Sequence, residues 1–256
     1  MSVVAKGHQA LGKAFRIATQ TKTGIDAADE ELHYVSVMAS EDNTVVTFNN
    51  GSKSFKHRTA TTETVTLQAG ETYMMIPQDV DKFFAGLLIT ATEPITVNAG
   101  SQHTFVPNTI NSDASTVQAL PVHNLGKEHI IMRGNTDAPF ADYAVIVGVE
   151  NNTDIFINGN GSPIATINAG DYYELGLSGS IGIPYYITTS EVAAVYHVSG
   201  VFGGEVGMTQ VPPIDRVLGS RFASFNKNEN AVNIAYVVIP TADLSTLKLN
   251  GQPYTS

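Results

Sequence analysis

VSVMASEDNTVVTFNNG (Val35–Gly51) decides the fold, because the chain says it again as AVIVGVENNTDIFINGN (Ala144–Asn160). Each copy opens with a short apolar run rich in β-branched residues, Val35–Ser40 or Ala144–Val149. Such a run is too short for a stable helix and reads as a strand buried on most of its surface. The knot that follows, EDNT (Glu41–Thr44) or ENNT (Glu150–Thr153), carries side chains that hydrogen-bond their own backbone and reads as a turn. Next comes an alternating segment, VVTFN (Val45–Asn49) or DIFIN (Asp154–Asn158), in which Val46 and Phe48, and Ile155 and Ile157, share one face. Asn50-Gly51 and Asn158-Gly159 tolerate positive φ and predict tight hairpin turns at equivalent strand ends. VTLQAGETYMM (Val65–Met75) and ATINAGDYYEL (Ala165–Leu175) return as strands broken at Ala-Gly.

Working outward, each copy has a preamble built on Leu-Gly: GHQALGKAF (Gly7–Phe15), VHNLGKEHI (Val122–Ile130) and DRVLGSRFA (Asp215–Ala223). A final strand pair closes each copy, GLLITATEPITVNAGS (Gly86–Ser101) and IPYYITTSEVAAVYHVSG (Ile183–Gly200), with an acidic turn in its middle. A third copy begins with IAYVVI (Ile234–Ile239) and TADLSTLKLN (Thr241–Asn250) and reaches Asn250-Gly251. The expected fold is all-β: tandem antiparallel β-sandwich repeats, two complete and a third truncated. The repeat is roughly 90–115 residues, the size of one sandwich domain. The expected boundaries are 1–117, 118–212 and 213–256. The expected core is Val35, Val37, Phe48, Leu67, Leu88, Ile95, Val145, Val147, Ile155, Ile157, Ile187, Val195, Val237 and Ile239.

Composition narrows the function. The net charge of −10 repels phosphate backbones and anionic membrane surfaces, so nucleic acid is excluded as the expected partner. Only 15% of residues are charged, so Thr, Ser, Asn and Gly must supply the polar surface, as in an extracellular β protein. The absence of cysteine excludes disulfides, thiolate metal sites and a cysteine nucleophile. No stretch reaches the roughly 18 apolar residues of a membrane helix. Met1–Ala5 does not open a signal peptide, so the expectation is a segment of a longer exported chain.

Leu-Gly-Lys plus strand, EDNT plus alternating strand, VTLQAGETY, GLLITATEPITV and QVPPIDRVLG, in that order, resemble the N-terminal domain of the IgG Fc-binding protein family. KGHQALGKAFRIAT (Lys6–Thr19) and VSVMASEDNTVVTF (Val35–Phe48) are most similar to its bacterial branch, found in large surface proteins of gliding bacteria. The resemblance covers almost the whole chain. It implies a secreted or surface-anchored binding module within a very long protein, with no catalytic residues to carry over. It does not extend antibody binding to the bacterial branch.

No chemistry-bearing constellation stands out from the residues. His8, His33, His57, His103, His123, His129 and His197 are scattered, and none has the spacing of a zinc site. Glu41-Asp42-Asn43 and Glu150-Asn151-Asn152 carry oxygen ligands, but calcium wants six to eight, and turn capping explains them with fewer assumptions. No GxSxG elbow is present, although a triad can assemble from distant residues. Tyr172-Tyr173 and Tyr185-Tyr186 offer sugar-stacking rings, but neighbours on a strand face opposite ways, so one of each pair should be core. The expectation is therefore no catalytic residues, no metal and no cofactor. The chain is read as a non-catalytic adhesion module for an extracellular protein or glycan, at the cell surface, without membrane insertion. The alternatives are a structural spacer in a surface stalk and an accessory domain of a secreted enzyme. The loops that differ most between copies, His103–Thr116 and Val201–Thr209 above all, are the expected ligand surface.

Overall fold

The computed structural model describes residues 6–21, 32–56, 59–78, 83–105, 112–134, 142–200, 206–216 and 237–254. The chain divides into two compact units, Met1–Gly219 and Ser220–Ser256. The larger unit holds two seven-stranded sheets with the same topology. The first is built from β1 (Gly12–Ala18), β2 (His33–Ala39), β3 (Thr44–Asn49), β4 (Thr62–Leu67), β5 (Thr72–Met75), β6 (Ala85–Phe105) and β7 (Ser112–Gln118). The second is built from β8 (Gly126–Met132), β9 (Tyr143–Gly148), β10 (Thr153–Ile157), β11 (Ala165–Ile167), β12 (Tyr172–Gly176), β13 (Pro184–Gly200) and β14 (Val206–Val211). All pairings are antiparallel, and the all-β expectation holds.

The long strand is the hub of each sheet. The first part of β6 pairs with β1 and β3, and the part after Pro94 with β2 and β7. The register of β1 on β6 jumps between Ala14↔Thr90 and Gly12↔Ile95, across Thr92-Glu93-Pro94. β13 repeats the jump across Ser190-Glu191. The lysine after each Leu-Gly clamps the bend: Lys13 lies 3.0 Å from Glu93 and donates to Thr92 O, and Lys127 lies 3.1 Å from Glu191 and donates to Ser190 O. These pairs are exposed and contribute at most about 1 kcal/mol each. Their role is to hold the bend that folds each sheet over into two layers.

The acidic turns latch onto the Ala-Gly turns by side chain to backbone bonds. Ala69 N donates to Asp42 Oδ1 (3.0 Å) and Ala169 N to Asn151 Oδ1 (3.1 Å), while Gln68 N donates to Glu71 Oε2 (2.7 Å) and Asn168 N to Asp171 Oδ2 (3.2 Å). Asn43 and Asn152 adopt φ of 55° and 57°, as the turn reading requires. One equivalence needs correction. Asn158-Gly159 and Asn250-Gly251 have positive φ at both residues, but in the first copy only Gly51 does. Ladder register makes Asn49 the counterpart of Asn158, since Phe48 faces Ile89 as Ile157 faces Ile187. Asn50-Gly51 is thus one residue out of step.

Val35, Val37, Phe48, Leu67, Ile95, Val145, Val147, Ile155, Ile187 and Val195 are buried as expected. Leu88 is not: β6 turns Leu87 and Ile89 inward and Leu88 outward. Ile157 is only partly buried, because it ends its strand beside the hairpin turn. Ile157→Ala is therefore expected to lower stability by no more than about 2 kcal/mol in urea denaturation, the low end for an isoleucine truncation.

The third copy departs furthest from expectation. Of its segments, 234–236 lies outside the described residues, Val237 is 63% exposed and Ile239 is partly buried. The strand expected over Thr241–Asn250 starts instead as a 3-10 helix, Thr241–Thr246, after Pro240. Proline sets φ for a helical start and donates nothing to a ladder, and Ala242-Asp243-Leu244 carries no β-branched residue to oppose it. Asn250-Gly251 does turn a hairpin, of two residues a side (Lys248–Leu249 with Gln252–Pro253).

The two sandwiches of the larger unit are not separate bodies. The interior of the first continues without a break into Tyr143, Val145, Val147, Ala194, Tyr196 and Val198 of the second. A different set, Ala144, Ile146, Ile155, Ile187 and Val195, fills the second sandwich's own interior. β9 is therefore buried at every position from Tyr143 to Gly148. Polar bonds fix the joint: Tyr196 OH donates to Arg16 O (3.0 Å), Thr21 N donates to Tyr143 OH (3.3 Å), and Leu120 N donates to Gln210 Oε1.

Candidate functional site

The joint leaves a groove of about 760 Å³ along one side. That lies in the range of small-ligand sites. Three segments wall it: Arg16 on β1, the Asn49–Lys53 turn after β3, and the Ala169–Tyr172 turn that precedes β12, with Gly86 in the floor. The alternation of β1 sends Phe15 and Ile17 into the core and therefore leaves Arg16 on the outer face.

Two glycines let the walls meet. Gly86 has φ +87°, and a Cβ there would overlap the carbonyl of Gly170. Gly170 has φ +85°, and a Cβ there would lie 3.3 Å from Arg16 Nη1. Gly86→Ala combines backbone strain with a backbone clash, and is expected to cost about 2 kcal/mol and to loosen the joint. Calorimetry should show one transition becoming two; a single unshifted transition would refute the contact.

The groove is polar and locally cationic in an acidic chain. Arg16 Nη1 donates to Gly86 O (3.0 Å), while its Nε is buried with no hydrogen-bond partner. Burial lowers the Arg16 pKa, and the attraction of Glu150 opposes that. Asn50 is 6% exposed, and its Nδ2 is a second buried donor without a partner. Lys53 Nζ sits 5.2 Å from the centre of the Phe83 ring and 5.9 Å from that of Tyr172. Those rings meet edge to face at 5.9 Å. Burial raises the Tyr172 pKa first, and Glu174 adds to it. Cationic and amide donors with an acidic neighbour, Asp171, suit hydroxyl and carboxylate groups of a ligand.

Sequence reading did not single out Arg16 or Lys53, and it named Asn50 only as a turn residue. One signal was present: Arg16 stands where the second copy has Ile130, opposite equivalent partners in register. A charge in one copy against an apolar residue in the other is a departure from the common fold.

Neither tyrosine pair divides into a core and a surface ring: all four are partly buried, with Tyr172 packed against the shared core and Tyr173 and Tyr185 against the second sandwich's own. Tyr185 OH accepts from Ser178 N (2.7 Å), and Tyr186 OH donates to Glu128 Oε2 (2.6 Å), which raises the Tyr186 pKa to about 12. A serine, a histidine and an aspartate do converge at one end of β13. Asp142, fully buried, accepts from Gly134 N (2.5 Å) and Ser199 Oγ (2.9 Å), and pairs with His197 Nε2 (3.2 Å). All three meet the same carboxylate oxygen. Serine and histidine thus compete for the acid instead of forming a serine-to-histidine relay, so the cluster anchors the strand end. Among the described residues no group of three or more His, Asp or Glu is gathered as a metal site.

The expected ligand loops are partly strand. Ser112–Gln118 is β7 and Val206–Val211 is β14, and Val206 N donates to Asp113 Oδ2 (3.3 Å) across the joint. Residues 106–111 and 201–205 of those loops lie outside the described residues. Among the described residues no helix is long and apolar enough to cross a membrane.

A family model described as IgGFc binding protein matches residues 1–256. No curated protein and no solved structure matches the chain.

Proposed function

The chain belongs to the IgGFc binding protein family, and from that premise we propose that it is a non-catalytic binding module of an extracellular protein, with the groove between its sandwiches holding the partner. The observation that carries this reading is the groove itself, a cleft of about 760 Å³ in which Arg16 and Lys53 stand beside Asp171 in an otherwise acidic chain. Cationic donors of this kind pair with carboxylate oxygens by charge-assisted hydrogen bonds. The partner presents carboxylate and hydroxyl oxygens, from an acidic protein segment or a glycan carried on a protein. The net charge of −10 repels anions at long range, but Arg16 and Lys53 reverse the local sign.

A spacer role in a surface stalk is the second reading, favoured by the continuous core that makes two sandwiches one stiff body. One experiment separates the two. Ser52 is exposed on the groove rim, and Ser52→Trp fills the groove without touching either core. The full chain and this variant are compared for attachment to protein-coated and glycan-coated surfaces. The binding reading expects at least about a tenfold loss of attachment with an unchanged melting temperature. Equal attachment by the folded variant would leave the spacer reading standing.

A further inference from the structure

Asn-Gly occurs at Asn50, Asn158, Asn160 and Asn250. Each step carries the same latent reaction. The backbone nitrogen of the glycine can attack the side-chain carbonyl carbon of the asparagine, because glycine has no Cβ to shield that nitrogen. The steps are alike in sequence, and the fold makes them unlike.

Ring closure needs the glycine nitrogen on the same side of the asparagine Cα–C bond as Cβ. Asn158 and Asn250 have φ of 53° and 51°, in the left-handed region. There ψ is typically about +47°, which swings the next nitrogen almost opposite to Cβ. Both residues are held in that state. Asn158 N donates to Tyr186 O (2.7 Å), and Asn158 Oδ1 accepts from Tyr186 N (2.9 Å). Asn250 turns the hairpin that pairs Lys248 with Pro253 and Leu249 with Gln252. Asn50 is restrained in another way. It is 6% exposed, and its own N donates to Thr61 O (2.9 Å). The nitrogen that would attack it, Gly51 N, donates to Asn49 Oδ1 (3.0 Å).

Asn160 stands apart. Asn160 and Gly161 are both exposed, and neither has positive φ. A Cβ on Gly161 would meet nothing within 4 Å, so the chain has room to rotate. Asn160 N is tied to Ile157 O (3.0 Å), but among the described residues Gly161 N donates to no acceptor. Asn160 Oδ1 accepts from Ser162 N (3.4 Å). That donor is aimed at the oxygen that gains charge when the carbonyl carbon is attacked. The ladder beyond the turn is closed by Ile164 N, which donates to Ile155 O (2.8 Å). Residues 160–163 lie outside it, so a changed backbone there leaves β10 and β11 paired.

We propose that Asn160 is a site of spontaneous deamidation in the folded protein, and that the fold holds back Asn50, Asn158 and Asn250. Gly161 N gives its proton to solvent base and bonds to Asn160 Cγ. The Cγ–Nδ2 bond breaks, and ammonia leaves with a proton returned from solvent, which closes a succinimide ring. Water then opens the ring at either carbonyl, giving aspartate or isoaspartate, the second with one more carbon in the main chain. Either product adds one negative charge to a chain of net charge −10. The acidic form keeps the fold and accumulates with age.

The full chain is held at mildly alkaline pH, digested and mapped by mass spectrometry. Conversion at Asn160 is expected to run at least about tenfold faster than at the other steps, because an exposed segment reacts without local opening. In guanidinium the rates are expected to converge. Ion exchange should resolve an acidic form of unchanged melting temperature, and Asn160→Gln should remove it. Gly161→Val places a branched side chain beside the attacking nitrogen, where there is space for it, and should slow conversion at Asn160 while the fold is kept. Asn160 reacting no faster than Asn50, Asn158 or Asn250 in the folded chain overturns the inference. So does an acidic form undiminished in Asn160→Gln. A lead for Asn160 that survives unfolding overturns it too, since the neighbouring sequence and not the fold would then set the order.

Discussion

Val147→Asp is expected to cost at least about 4 kcal/mol, while Met38→Asp at the equivalent place in the first sandwich changes stability by less than about 0.5 kcal/mol. The equivalence rests on register: Met38 lies between Thr72 and Thr96, and Val147 between Tyr172 and Ala194. Met38 is 42% exposed, and Val147 is fully buried in the joint. A carboxylate at 147 would enter an apolar layer with no cation built to meet it. The same carboxylate at 38 stays in water. Urea titration of both variants measures the contrast. Equal, small shifts would show that the second sandwich does not need the first to cover it.

Between pH 6.5 and 4 the chain is expected to lose about 3 kcal/mol of stability through His129 alone. The imidazole occupies the inward place that Phe15 holds in the first sandwich, since Phe15 faces Ile89 as His129 faces Ile187. It is fully buried, and neither ring nitrogen has a hydrogen-bond partner. Burial lowers its pKa from 6.5 to about 4, and the attraction of Asp215 opposes this only weakly. The folded state therefore holds the ring neutral, and the unfolded chain takes up the proton first. Above pH 6.5 neither state is protonated and the stability is fully present. As pH falls toward 4 the unfolded state gains protons that the folded state refuses, so stability drops. His129→Phe should flatten this slope while leaving the fold intact. An equal slope in the variant would place the acid sensitivity elsewhere.

His129 also shows how far residue chemistry reads on its own. As a residue of the strand after Leu-Gly-Lys, its place on an alternating strand was legible, but its neutrality was not. A histidine in a strand is compatible with solvent, with a ligand or with a core, and only the packing of β8 against β13 removes its water. The Asn-Gly turns were legible as turns, because glycine tolerates positive φ locally. Their register was not, because Asn49-Asn50-Gly51 offers two ways to place the turn and the ladder with β6 chooses between them.

The groove was the least legible feature. Arg16, Lys53 and Tyr172 are far apart in the chain, and no local pattern announces that they share a space. Their meeting depends on Gly86 and Gly170 coming into backbone contact between sandwiches.

The amino-acid sequence by itself determined the succession of strands, their duplication and the turns, because these follow from side-chain alternation and from backbone preferences acting over a few residues; the pairing order around the long central strand did not follow from them. The reading of a mostly buried strand holds for Ala144–Gly148 but not for Val35–Ser40, where Ser36 is half-buried and Met38 and Ser40 are exposed. What buries the second face of Ala144–Gly148 was decided only by the tertiary structure. Val145 and Val147 read as core of their own sandwich, yet they cap the first one. Hydrophobic burial is non-directional: an apolar face demands cover but does not specify its source. The cover comes from the first sandwich, whose core is continuous with Tyr143, Val145, Val147 and Tyr196.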